Sequence, residues 1–280
     1  MAVQRLVLTD FRSYASLSLN IDAPMITLTG ANGAGKTNLL EAISFLVPGR
    51  GLRAARLTDI ARRETGNAKS SQRWGVAATV EGLEGVYEVG TGVSEEMATE
   101  NPRRAVRING APARGQAALG ERLSALWLTP DMQRLFSEGA SGRRRFLDRL
   151  VFGFDPAHAG RLKAFERAMR ERSSLLHREV THGTTADPTW LDVLEGTIVE
   201  KGVAIAAARI ALIDRLNPAC AMGVGPFPSA SLALDGILDG WIGTMPAVEA
   251  EDQYRAALAD SRGVDRAGRG TAIGPHRSDL

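Results

Sequence analysis

The chain has one cysteine, four histidines, 5% aromatic residues and four lysines among its 34 basic residues. Each scarcity excludes something. Cys220 has no partner for an internal disulfide, and it reads as a small core residue. One cysteine and four scattered histidines make no metal-ligand cluster of the zinc type. The longest mostly apolar stretch, 203–213, is interrupted by Arg209 and is too short to cross a bilayer. The N-terminus enters an alternating strand pattern with no apolar leader, so the protein is expected to be cytoplasmic and to have no membrane partner. Lysine is so rare that any retained lysine invites inspection.

What is present is an ordinary globular composition, 44% hydrophobic and 24% charged, with a net charge of +2 over 280 residues. So small a net charge does not by itself announce nucleic acid. Its distribution is mildly uneven, +5 over 1–150 and −3 over 151–280. The length allows two lobes.

Alternation predicts half-buried strands at 3–9 and 16–21, and a short buried strand at 25–29. A glycine-rich turn follows, then a helix from Lys36 to Val47, with Leu39, Leu40, Ile43, Leu46 and Val47 at helical spacing before Pro48-Gly49. Short antiparallel strands are expected at 74–80, 83–90 and 104–109, with turns at Glu81-Gly82 and Asn109-Gly110 and a mobile loop over 91–103. A strand at 125–129 and helices at 131–137 and 142–152 complete a lobe taken as 1–154. From Asp155 the pattern becomes helical. Leu162, Phe165, Met169, Leu176 and Val180 form one stripe, Trp190, Leu191, Leu194, Ile198, Ile205 and Leu212 another, and 182–187 would turn the chain between them. A helical hairpin, then strands near 230–242 and a helix near 248–260, would form a second lobe over 155–280. The fold class expected is α/β.

The chemistry is carried by Gly30-Ala31-Asn32-Gly33-Ala34-Gly35-Lys36-Thr37, which fits G-x-x-x-x-G-K-[ST] between a predicted strand and a helix. The glycines permit positive φ, so that successive N–H groups line a concave anion nest at a helix N-terminus. Lys36 is a compact charge for the β- and γ-phosphates of a nucleotide, and the Thr37 hydroxyl is a ligand for Mg²⁺. One of only four lysines stands here. ATP and Mg²⁺ are therefore the expected cofactors. A P-loop alone does not separate motors, transporter subunits, GTPases and kinases.

Other segments narrow the choice. Leu8-Thr-Asp-Phe11-Arg12-Ser13-Tyr14, followed by the P-loop and Asn38-Leu-Leu-Glu41-Ala-Ile43, resembles the N-terminus of SMC-like ATPases. With Gly49-Arg50-Gly-Leu-Arg53, Arg143-Arg144-Arg145-Phe146-Leu147-Asp148 and Gly274-Pro-His-Arg-Ser-Asp-Leu280, the whole chain resembles the RecF family. Gly51, Leu52, Ala54 and Ala140 depart from the usual family residues. The resemblance implies an ABC-type ATPase head, with Arg12 and Ser13 beside the nucleotide. It implies an ATP-dependent homodimer that clamps DNA and releases it on hydrolysis, recombinational repair and replication at gaps beside damage, and RecR and RecO as partners. It also implies that the chain stops before the family's signature motif and acidic strand. No catalytic residue is assigned, and turnover is expected of the longer protein only.

For DNA, Arg143, Arg144 and Arg145 open a predicted helix, where cations oppose the dipole and call for an anion: DNA phosphate, a carboxylate of the same lobe, or a partner's nucleotide. Arg50, Arg53 and Arg56 form a second basic stretch able to track phosphates. Neither is interleaved with aromatics, so backbone contact to duplex or junction DNA, not base stacking, is expected. The rival reading is a P-loop kinase of a small acceptor, with 141–149 as its lid.

Overall fold

The computed structural model describes residues 2–63, 73–82, 85–94, 96, 102–182, 187–223, 225–268 and 270–280. The chain divides into two compact units, Met1–Trp127 and Leu128–Leu280. The boundary therefore falls earlier than the expected 154/155, and the helix bearing Arg143 and Arg144 belongs to the second unit. Its buried Leu147 and Val151 pack with Leu212 and Ile213, which anchors it among the helices.

In the first unit, β1 (Ala2–Phe11), β2 (Tyr14–Asn20), β3 (Trp74–Gly82), β4 (Gly85–Val93), β5 (Ala105–Ile108) and β6 (Ala111–Pro112) form a sheet in the order β2-β1-β3-β4-β5-β6. Every neighbouring pair is antiparallel. Alternation works as expected in β1, where Leu6 and Leu8 are buried and Gln4, Arg5 and Thr9 are exposed. Asn109 and Gly110 take φ of 50° and 78°, the paired left-handed turn that an Asn-Gly hairpin favours. The core gathers Phe11, Phe45 and Trp74, whose ring centroids stand 5.2–6.1 Å apart. Helix α1 (Lys36–Ser44) packs in the same core. It is shorter than expected, and its buried residues are Glu41, Ala42 and Ser44, whereas Leu40 is half exposed.

Two expected strands are not formed. Segment 25–29 has no ladder partners among the described residues, and Met25 is 88% exposed. Segment 125–129 is likewise unpaired: Ala125 and Trp127 pack on the sheet core while Leu126 and Leu128 are exposed. Both have the composition of strands, but a strand exists only where a neighbour completes its hydrogen bonds, and among the described residues none does. The helix expected at 131–137 is a 3₁₀ helix, Pro130–Arg134. Part of the loop expected over 91–103 falls outside the described residues.

The second unit contains α3 (Ala140–Phe152), α4 (His158–His182), α5 (Pro188–Ala221), α6 (Ile237–Thr244) and α7 (Ala247–Gly268), numbered after the single turn α2 (Ala117–Gly120) of the first unit. The Asp187 side chain caps α5 by accepting from the Thr189 amide, with Pro188 at the first helical position. The expected turn between α4 and α5 lies mostly in 183–186, outside the described residues. Buried Phe165 of α4, Ile198 and Ile205 of α5, Leu238 of α6 and Tyr254 and Leu258 of α7 share one core. Strands expected near 230–242 reduce to a single bridge between Asp235 and Asp279, and Ile237–Thr244 is helical. No described helix is long and apolar enough to cross a membrane.

Candidate nucleotide site

The loop before α1 takes the backbone shape its glycines allow, with φ of 146° at Gly30, 84° at Gly33 and 97° at Gly35. Gly35 is doubly constrained, because a Cβ there would stand 2.5 Å from the Tyr14 hydroxyl. Gly33 faces open space, and Ala31, Asn32 and Ala34 are exposed. The Lys36 ammonium donates to the carbonyls of Gly30, at 2.5 Å, and Ala31, at 2.8 Å, so its charge is held over the loop. Thr37, next in the first turn of α1, is exposed. The first amides of a helix have no intrahelical acceptor. The open amides of a helix start, a lysine and an exposed hydroxyl therefore stand side by side at one loop, donors and a ligand of the kind that suits a polyphosphate and its divalent ion.

Beneath the loop lies a polar cluster centred on Glu41, whose side chain is fully buried. Arg12, in the β1–β2 turn at φ 53°, donates to both carboxylate oxygens, Nε to Oε2 at 2.9 Å and Nη2 to Oε1 at 2.7 Å. Its Nη1 donates to the Asp59 carbonyl. Arg53 reaches the same Oε2 at 3.1 Å and the Asn38 Oδ1 at 3.0 Å. Asn38 in turn donates to the Ser13 hydroxyl. The structure thus brings Arg12, Ser13 and Arg53 together around the first turns of α1. Arg50 and Arg56 are exposed on the segment that follows the helix.

Arg104 fastens the other end of α1. It is buried, and its two Nη atoms donate to the carbonyls of Phe45, Val47 and Gly49 while Nε donates to Thr91. A cation at a helix C-terminus complements the dipole. Burial lowers its pKa to about 10, so the guanidinium stays charged at neutral pH. Local pattern did not flag Arg104, because its partners lie up to 59 residues away. Glu41 was visible within the motif, yet its burial was not.

Arg143 finds a carboxylate inside the second unit, one of the anions that its place at a helix start called for, whereas Arg144 meets a backbone carbonyl. Arg143 forks onto Asp279, Nε to Oδ1 at 2.6 Å and Nη2 to Oδ2 at 2.8 Å, and donates through Nη1 to the carbonyls of Leu135 and Glu138. Every donor group of that guanidinium is engaged. Arg144 donates once, from Nη1 to the Ser278 carbonyl at 2.7 Å. Arg145 is exposed.

A strand-hairpin, a glycine-turned phosphate loop and a helix N-terminus define a P-loop ATPase head. The family model described as RecF/RecN/SMC N terminal domain matches residues 2–220. A DNA replication and repair protein RecF of Rhizobium etli is 46% identical over 283 residues, covering 100% of this chain and 72% of the relative. RecF of Rhizobium meliloti is 45% identical, covering 99% and 71%. The chain belongs to the RecF family of DNA replication and repair proteins. Solved structures of the recombination mediator protein RecF in the RecFOR pathway, described as RecF-ATPrS and RecF-ATP, share the fold at TM-scores of 0.85 and 0.82 with 20% identity, covering 99% of this chain and 72% and 71% of theirs.

Proposed function

We propose that the protein is a cytoplasmic ATP-dependent DNA-binding protein of recombinational repair and replication, acting at gaps beside damage. Gly30–Thr37 would cradle the phosphates of ATP, Lys36 would neutralise the β- and γ-phosphates, and Thr37 would hold Mg²⁺, whose contribution is to bridge and neutralise those phosphates. Arg12 and Ser13 would border the nucleotide. The observation that carries this reading is the loop itself, three positive-φ glycines leading into α1 with the Lys36 ammonium above them. It is supported by family membership and by solved relatives described with ATP. ATP binding would drive homodimerisation on DNA and hydrolysis would release it, with Arg50, Arg53 and Arg56 offering backbone contacts and RecR and RecO as partners. Lobes taken as 1–154 and 155–280 give way in this reading to the two observed units.

Titration of Mg·ATP into wild type, Lys36→Ala and Lys36→Arg tests it. A charge-assisted contact contributes about 1.5–3 kcal/mol. Both variants should therefore lose roughly ten- to hundredfold in affinity. Their thermal unfolding should match wild type, since Lys36 serves an exposed loop and not the core. Near-normal ATP affinity in both variants would refute the assignment.

A further inference from the structure

Beyond the P-loop, one cluster of charge is left without a carboxylate to answer it. It lies where the start of α3 meets the segment 271–278, within the second unit. Among the described residues Arg144 uses a single donor, Nη1 to the Ser278 carbonyl. Arg277, exposed on that segment, uses among the described residues only Nε, which donates to the Thr271 carbonyl at 3.0 Å. His276 stands between them in sequence, with Nε2 on the same Thr271 carbonyl and Nδ1 buried without a partner.

The carboxylates nearby are already committed. Asp279 is taken by both arms of Arg143. Asp148 is taken by both arms of Arg209 and by His158. Asp239 accepts from the Ser278 hydroxyl through Oδ2, and its Oδ1 is buried without a partner among the described residues. The crowding of positive charge is felt by the groups themselves. Burial lowers the Arg144 pKa, and the charges of Arg209 and Arg277 lower it further against Asp279 and Asp148. Burial likewise lowers His276 despite its hydrogen bond to Thr271, and Arg277 and Arg144 add to the shift. Helix α3 begins at Gly139 with no side-chain cap and no acidic residue in its first turn, so the helix dipole adds to this positive potential. Two guanidiniums close enough for their charges to interact, each bonded to a carbonyl and with donors to spare, offer the chemistry that grips a phosphate.

We infer that Arg144 and Arg277 form a second phosphate site that grips a backbone phosphate of DNA. The inference rests on the DNA-binding reading above and names a contact for it in the second unit. A DNA phosphate suits the site better than a nucleotide, because Arg277 stands in solvent, as a contact to a long polyanion requires. Arg143 is excluded from that role because its fork is filled.

The test is the salt dependence of duplex-DNA affinity in the presence of ATP, for wild type, Arg277→Gln and Arg277→Lys. Each lost phosphate contact flattens the slope of log affinity against log salt by about one. Arg277→Gln should weaken DNA binding about tenfold and flatten the slope by about one, with ATP affinity unchanged. Arg277→Lys should retain most of both. Because Arg277 is exposed and contributes one hydrogen bond, matched melting curves should show that the fold is kept. If wild type binds DNA with a steep slope and Arg277→Gln leaves affinity and slope untouched, the site is wrong while the DNA-binding reading stands. If Arg277→Gln spares DNA binding but abolishes ATP-dependent dimerisation, the phosphate is a nucleotide's and the inference is overturned. If wild type itself shows no ATP-dependent affinity for DNA, the functional reading fails first.

Discussion

The two units bury charge in different company. Beside the P-loop a fully buried carboxylate, Glu41, serves two arginines that reach it from a partly exposed position, Arg12 at 18% and Arg53 at 44% side-chain exposure. Among the helices buried arginines meet buried carboxylates, and buried Glu195 also has a rim cation, Arg262 at 24% side-chain exposure. Arg172 is 1% exposed and is bonded to Glu195, Asp265, Thr271 and the Leu258 carbonyl. Arg209 is 2% exposed and ties Asp148 of α3 to the Pro275 carbonyl. Arg104 is the first unit's exception, and it is bonded to carbonyls and a hydroxyl, with no carboxylate at all.

The difference separates a site from a scaffold. A buried anion with cations at its rim keeps those cations positioned yet within reach of an incoming phosphate. A buried cation sealed by carboxylates and carbonyls offers nothing outward. It cross-links helices whose apolar contacts alone leave several registers open, and removing one member strands the others in a low-dielectric interior.

The sharpest way to break this contrast is Arg209→Met. It leaves Asp148 buried with only His158 as partner. Loss of one member of a buried pair costs about 3–5 kcal/mol. Urea denaturation should show a loss of that size, and Arg209→Met combined with Asp148→Leu should recover most of it. A loss below about 1 kcal/mol would mean that the pair is no cross-link. A smaller effect is expected from Glu41→Gln. One hydrogen bond to a charged group contributes about 1.5–3 kcal/mol, discounted here because Arg12 and Arg53 can turn to water, so about 1–2 kcal/mol is expected. If Glu41→Gln cost more than Arg209→Met, the contrast between the units would be inverted.

How much of this was legible depends on the range of the interaction that decides it. The P-loop and α1 were, because three glycines, Lys36 and Thr37 act within eight residues and each has a local physical task. The strands β1 and β2 were as well, through alternation, and so was the turn at Asn109-Gly110, though not the short strand that follows it. Segments 25–29 and 125–129 have the composition of strands, but pairing is a property of a neighbour and not of the segment. The helical spacing of Leu39, Leu40 and Ile43 concealed that Glu41 is the residue fully buried, since a buried charge is betrayed only by partners such as Arg12, 29 positions away. The Arg143 case is the most instructive. Three arginines opening a helix correctly called for an anion, yet Asp279 lies 136 residues along the chain.

That same pair gives the smallest effect and tests whether the rim of the second unit behaves as a surface or as part of its scaffold. The hydrogen bond from Arg143, more than opposing desolvation, lowers the Asp279 pKa to about 2 from the ordinary 3.8. A carboxylate depressed on folding contributes stability that is fully present above its unfolded pKa and is lost as pH falls through the folded value. The difference in stability between wild type and Asp279→Asn should therefore be level from neutral pH down to about 5, shrink below 3.8, and vanish near and below about 2. Asp279 keeps 37% side-chain exposure, so solvent screens the pair. The plateau should be no more than about 1 kcal/mol and should fall with added salt. Melting curves of both proteins across this range at low and high salt decide the point. A plateau approaching that of Arg209→Met, insensitive to salt, would place Arg143–Asp279 with the buried cross-links. A difference persisting at pH 2 would show that packing of the Asp279 side chain, and not its charge, holds the segment to α3.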